Sequence, residues 1–165
     1  MNILNFTKYK HKYISVLIAT FLIFTDYFTK IAAEKYIPKN ITVTVIPHLI
    51  DFRFLKNDGA AFGMLDNARW VFMLATFVFI IIGAIYFLHL KKNQKFTCYV
   101  VMLILAGGIG NMVDRIFYGE VVDFITFGFM DFPSFNIADC CVVIGCFMWI
   151  ISILFDVKNQ KANTK

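Results

Sequence analysis

The side chains in this sequence with the means to do chemistry are carboxylates in apolar company. Asp123 stands in Val121-Val122-Asp123-Phe124-Ile125, and Asp139 follows Asn136-Ile137-Ala138 at the head of a long apolar run. Close carboxylates in an apolar setting cannot both ionise cheaply, so they share one proton and titrate as a pair. Such a pair has what amide hydrolysis requires, because the ionised partner takes a proton from water while the protonated one polarises the scissile carbonyl. Plainer readings stand beside this one. Asn136 followed by Asp139 has the form of a capping box, and a helix dipole favours an anion there, so Asp139 is equally a helix-starting residue. Asp123 is equally an acid on a surface loop.

Other polar residues gather near these two. Asp26 and Lys30 stand four apart with the acid first, the favourable order for an intrahelical pair. Asn111 and Arg115 have the same spacing and project from one helix face, with Asp114 beside them. They have the donors to hold a peptide by its carbonyls, although an arginine here also has the option of snorkelling to an interface. Gly107, Gly108 and Gly110 precede them, and Ala106 with Gly110 forms a small-x-x-x-small pair that reads first as close helix packing. In Asn57-Asp58-Gly59-Ala60-Ala61-Phe62-Gly63, turn residues are followed by small ones, a place where a substrate chain has room to pass.

The elements that must position these groups are membrane helices. The 165 residues are 59% hydrophobic and 16% charged, with a mean hydropathy of +0.70, outside the range of ordinary soluble domains. Four runs come close to the roughly 20 apolar residues that a helix needs to cross a bilayer: Tyr13 to Ala33, Trp70 to Leu90, Phe96 to Phe117 and Ile137 to Phe155. The expected fold is an all-α four-transmembrane-helix bundle, a single domain over residues 1–165. The first run carries Asp26 and Lys30 and no small-x-small cleavage signal, so it reads as a retained span. Lysines before the first run, between the second and third, and after the fourth place both termini on the cytoplasmic side. Asp26, Lys30, Asp114, Arg115 and Asp139 then share one depth, at the outer boundary. Ionisable groups at that depth are costly enough to need a reason.

In the outer segment between the first two runs, Ile41 to Val45 and Asp51 to Phe54 alternate in polarity, which predicts a small β-rich segment within about residues 40–66. Cys98, Cys140, Cys141 and Cys146 show no C-x-x-C spacing and read as small buried apolar residues. His11, His48 and His89 are scattered, so metal catalysis has no support in the sequence. The net charge of +5 lies beside apolar runs rather than on a polar face, which argues against nucleic acid as a partner. A small transporter or proton relay remains the main alternative, since intramembrane acids also mark ion paths. A noncatalytic assembly factor is a third.

Five ordered blocks resemble the lipoprotein signal peptidases, the type II signal peptidases of bacteria. They are Asp26-Tyr27-Phe28-Thr29-Lys30, then Asn57 to Gly63, then Gly107 to Arg115, then Val121-Val122-Asp123-Phe124, then Phe135-Asn136-Ile137-Ala138-Asp139. The resemblance implies an aspartic endopeptidase of the inner membrane that cuts diacylglyceryl-modified prolipoproteins just before the lipidated cysteine. It implies that Asp123 and Asp139 are catalytic, that Asn57, Gly59, Asn111, Arg115 and Asn136 contact substrate, and that Asp26, Lys30 and Asp114 support the site. It further implies no cofactor, a monomer among membrane lipids, and binding of the peptide antibiotic globomycin. Two departures stand out: a short connection from Asp123 to Asp139, and Gly63 where the family often has serine.

Overall fold

A computed structural model describes residues 3–58 and 69–163. Within them the chain forms helix α1 (Ile3–Tyr36), strands β1 (Thr42–Ile46) and β2 (Ile50–Asn57), helices α2 (Arg69–His89) and α3 (Lys95–Phe117), strand β3 (Val121–Phe127) and helix α4 (Ile137–Asn163). Three stretches are long and apolar enough to cross a membrane: Tyr9–Tyr36, Lys95–Phe117 and Ile137–Phe155. In α2 the corresponding apolar stretch, Met73–His89, is shorter.

Helix α3 is the hub. Half of its apolar window is buried, against 22% and 17% for α1 and α4. Its glycines explain the closeness of α4, because a methyl group added at Gly107 would run into the Ala138 carbonyl oxygen and Val142. A methyl at Gly110 would lie 2.8 Å from the Asp26 carboxylate and 3.1 Å from the Ala138 side chain. The small residues therefore do pack helices, and they do so at the depth where the acids gather. Away from that depth, Phe87, Leu90, Cys98, Val101 and Leu105 form an apolar cluster between α2 and α3. Cys98 and Cys141 are buried as expected, whereas Cys146 is exposed and Cys140 partly so.

The β-rich segment forms between Thr42 and Asn57, its expected continuation over residues 59–66 lying outside the described residues. One correction applies: the sheet has a third strand, β3, supplied by the connection between α3 and α4. Asp123 is thus a strand residue and not a loop acid. The sequence pattern concealed this because Val121, Val122, Asp123, Phe124 and Ile125 do not alternate in polarity. All three strands are antiparallel in the order β1-β2-β3. Phe52 pairs with Ile125 and Leu55 with Asp123, so β2 advances one residue more than β3. That bulge decides which face Asn57 occupies, since a one-residue shift turns every later side chain over. With it, Asn57 and Asp123 lie diagonally on the same face.

Candidate active site

Asp123 is 2% exposed, and both of its oxygens are held. Asn57 Nδ2 donates to Oδ2 at 2.9 Å, and Asn136 Nδ2 donates to Oδ1 at 2.7 Å. Burial, reinforced by the charge of Asp139, outweighs these donors and pushes the Asp123 carboxyl up to about 6.

Asp139 sits in the first turn of α4, and the capping expectation holds in full. Asp139 N–H donates to Asn136 Oδ1 at 2.9 Å, and Asn136 N–H donates back to Asp139 Oδ2 at 3.1 Å. A third bond in this turn runs from Ala138 N–H to Asp26 Oδ1 at 2.8 Å. The start of α4 is thereby built from the site's own side chains, which satisfy N–H groups that a helix end otherwise leaves open. Capping and membership of the site are one arrangement, because Asn136, fully buried, faces Asp139 with its oxygen and backbone and Asp123 with its amide nitrogen.

Asn111 completes the constellation. Its Nδ2 donates to Asp139 Oδ1 at 2.7 Å, while its Oδ1 accepts from Lys30 Nζ at 2.9 Å and Asn136 Nδ2 at 3.1 Å. Lys30 lies 2.7 Å from both Asp26 Oδ2 and Asp114 Oδ2, so the expected intrahelical pair is in fact a buried triad. Arg115 donates weakly to the Asn111 carbonyl at 3.4 Å, and its charge faces Asp139, Asp123 and Asp114.

Asn57, Asn111, Arg115, Asp123 and Asp139 line one end of a cleft of about 430 Å³. The rest of its wall is mostly apolar: Val121 and Phe127 on β3, the Phe132–Phe135 stretch with Ser134 as its one hydroxyl, and Cys140, Val143 and Ile144 on α4. Sequence reasoning missed this wall. Its only signal was the run of aromatics between Phe127 and Phe135, whose rings pack 5.1 Å apart at those two positions. Val143 and Ile144 are about half exposed, so the cleft opens along the side of α4. Gly59, expected beside substrate, lies outside the described residues, as does the remainder of the turn through Gly63. No group of three or more His, Cys, Asp or Glu suited to a metal occurs among the described residues.

This geometry has close counterparts. A family model described as signal peptidase (SPase) II matches residues 18–155. Lipoprotein signal peptidases from two strains of Staphylococcus aureus, bovine RF122 / ET3-1 and JH9, are each 37% identical over 150 residues, covering 89% of this chain and 91% of the relative. A bacterial membrane enzyme solved by the in meso method superposes with a TM-score of 0.83 at 35% identity, covering 89% of this chain and 91% of that one. A second in meso structure of a bacterial membrane enzyme gives 0.79 at 35% identity, with 86% and 92% covered.

Proposed function

The chain belongs to the signal peptidase II family and removes signal peptides from prolipoproteins, and we propose that it does so as an aspartic endopeptidase whose catalytic pair is Asp123 and Asp139. The family leaves the transporter, proton-relay and assembly-factor alternatives without support. One observation carries the proposal: a single buried residue, Asn136, hydrogen-bonds both carboxylates, Asp123 through its side-chain amide and Asp139 through its backbone N–H, beside a mostly apolar cleft.

In this reading Asp123 carries the shared proton and Asp139 is the base. Asp123 is buried on a strand, where a neutral carboxyl is favoured, while Asp139 occupies a helix N-terminus, where an anion is. Asp139 takes a proton from water as the water oxygen adds to the scissile carbonyl, and Asp123 gives its proton to the carbonyl oxygen. On collapse of the tetrahedral intermediate the C–N bond breaks. Asp139 passes its proton to the leaving nitrogen, and Asp123 recovers one from the intermediate's hydroxyl. Arg115 grips backbone carbonyls of the substrate, Asn57 and Asn136 hold the carboxylates in place, and Gly59 lets the substrate chain pass closely.

The substrate's cysteine carries a diacylglyceryl group, whose chains stay in the leaflet and present the scissile bond at the depth of the two aspartates. The half-exposed Val143 and Ile144 side of the cleft is where lipid and signal peptide enter. Helix α2 is the fourth span, both termini are cytoplasmic, and the monomer works in the inner membrane with the sheet outside. Globomycin occupies the same cleft.

The test is cleavage of a lipidated prolipoprotein by purified protein. Asp123→Asn and Asp139→Asn should each remove cleavage, and the double change should add little, because a pair acting as one unit is lost with either member. Substantial turnover by a folded Asp139→Asn protein would leave that residue with its helix-capping role alone.

A further inference from the structure

Lys30 stands behind the site and out of the cleft, yet it touches the amide that touches Asp139. An ammonium only donates hydrogen bonds, so whatever faces Lys30 Nζ must accept. At 2.9 Å that group is Asn111 Oδ1, which obliges the Asn111 NH2 to point the other way, at Asp139 Oδ1. The Asn136 amide is fixed by the same logic, because the Asp139 backbone N–H can only donate and therefore faces Asn136 Oδ1. Were Asn111 free to turn, its carbonyl would face Asp139 and accept a hydrogen bond from a protonated carboxyl there. The pair would then have a second resting state with the proton on the wrong partner.

We propose that Lys30 is a positioning residue: together with Asn136 Nδ2, which donates to the same oxygen at 3.1 Å, it holds the Asn111 carbonyl, locks an N–H donor toward Asp139 and keeps the shared proton off that carboxylate. This rests on the assignment of Asp139 as the base. Asp26 and Asp114 hold Lys30 in turn, each at 2.7 Å, and leave the triad with one net negative charge. The charged groups around Asp139 are Asp123 on β3, Arg115 and Asp114 on α3, and Asp26 and Lys30 on α1. The role of Lys30 is accordingly one of hydrogen-bond direction, since its charge is already offset by its two partners.

That distinction makes the inference testable. Lys30→Met combined with Asp114→Asn removes the donor but keeps the local net charge, since Asp26 alone then carries it. The acid limb of the pH profile of kcat for cleavage of a lipidated prolipoprotein should move up by about one pH unit, the effect of losing a hydrogen bond to the charged form. Asp114→Asn alone keeps Lys30 on Asn111 and should leave that limb no higher than in the unaltered protein. Should the double variant fail to fold, Asn111→Ala, which deletes the donor itself, must move the limb at least as far. An unmoved limb in whichever variant folds, or an equal rise in Asp114→Asn alone, overturns the role given to Lys30. Loss of the role given to Asp139 reads differently, as cleavage that survives Asp139→Asn.

Discussion

The two ends of the bundle hold their polar groups in opposite ways. At the sheet end, Asp26, Lys30, Asp114, Asp123 and Asn136 are all buried, and most of them bond two or more partners whose hydrogen-bond direction is dictated by the chemistry of the neighbour. At the other end, polar groups sit at the margin of an apolar cluster and make isolated bonds. Lys12 Nζ reaches the Leu88 carbonyl at 2.9 Å in an exposed position and lies 5.3 Å from the centre of the Phe87 ring, and His11 meets the Tyr99 hydroxyl at 3.0 Å. One end is held by orientation and the other by apolar burial. Removing a bond at the second end exposes a group to solvent, whereas removing one at the first strands a partner that has no alternative.

Asn136→Ala should separate the two ends most sharply. It deletes the amide donor to Asp123 together with the side-chain cap of α4, leaving only the backbone N–H on Asp139, so kcat should fall about a hundredfold or more, roughly 2.7 kcal/mol. The lost cap should also cost about 1 kcal/mol of stability. Cleavage rates and thermal melts of the detergent-solubilised protein check both, and an active but destabilised variant would reduce the residue to a cap. Arg115→Lys comes next, with an expected drop of about tenfold in kcat/KM and no loss of folded protein, because lysine cannot reproduce the planar fork. Full activity in that variant would make Arg115 an interface anchor.

A smaller effect concerns Asp123 and pH. Its folded-state value of about 6 lies above the ordinary carboxylate value of 3.8, so the folded protein holds that proton more tightly than the unfolded chain does. The carboxyl therefore costs nothing extra below pH 4 and progressively destabilises the fold as pH rises through about 6. Asp123→Asn removes that cost, offset in part by the two N–H donors then facing an amide. A net gain of about 1 kcal/mol is expected at neutral pH, disappearing near pH 4. Thermal melts of the two proteins across that range decide it. The smallest effect belongs to the opposite end: Lys12→Met should cost less than about 1 kcal/mol of stability and leave cleavage alone, as expected for one exposed hydrogen bond and exposed contacts of the ammonium with the Tyr9 and Phe87 rings.

Much of this contrast was legible in the residues. The depth at which Asp26, Lys30, Asp114 and Asp139 gather follows from apolar run lengths, and the capping pair Asn136 and Asp139 follows from spacing and residue type. Strand β3 was not legible, because its apolar residues fall on both faces, Val121 on one and Phe124 on the other, and leave no alternation to show. The bulge between Phe52 and Leu55 was hidden for a related reason. It is fixed by pairing with a partner 66 residues away, as the bond from Asn57 to Asp123 demonstrates, and no local pattern records it. For Lys30 the i, i+4 spacing shows only a helical pair with Asp26, and it cannot show Asp114 and Asn111 arriving on another helix.

The bond from Ala138 to Asp26 joins residues 112 positions apart. In biosynthetic terms, the first helix leaves the ribosome carrying an acceptor whose donor is among the last parts of the membrane domain to be made. Asn136 and Asp139 arrive with that donor. A nascent chain stalled before α4 holds Asp123 without Asp139, so under the proposed pairing it has no means to cleave until α4 lies in the groove beside Gly107 and Gly110. Synthesis in that order thus serves the proposed site as a safety catch.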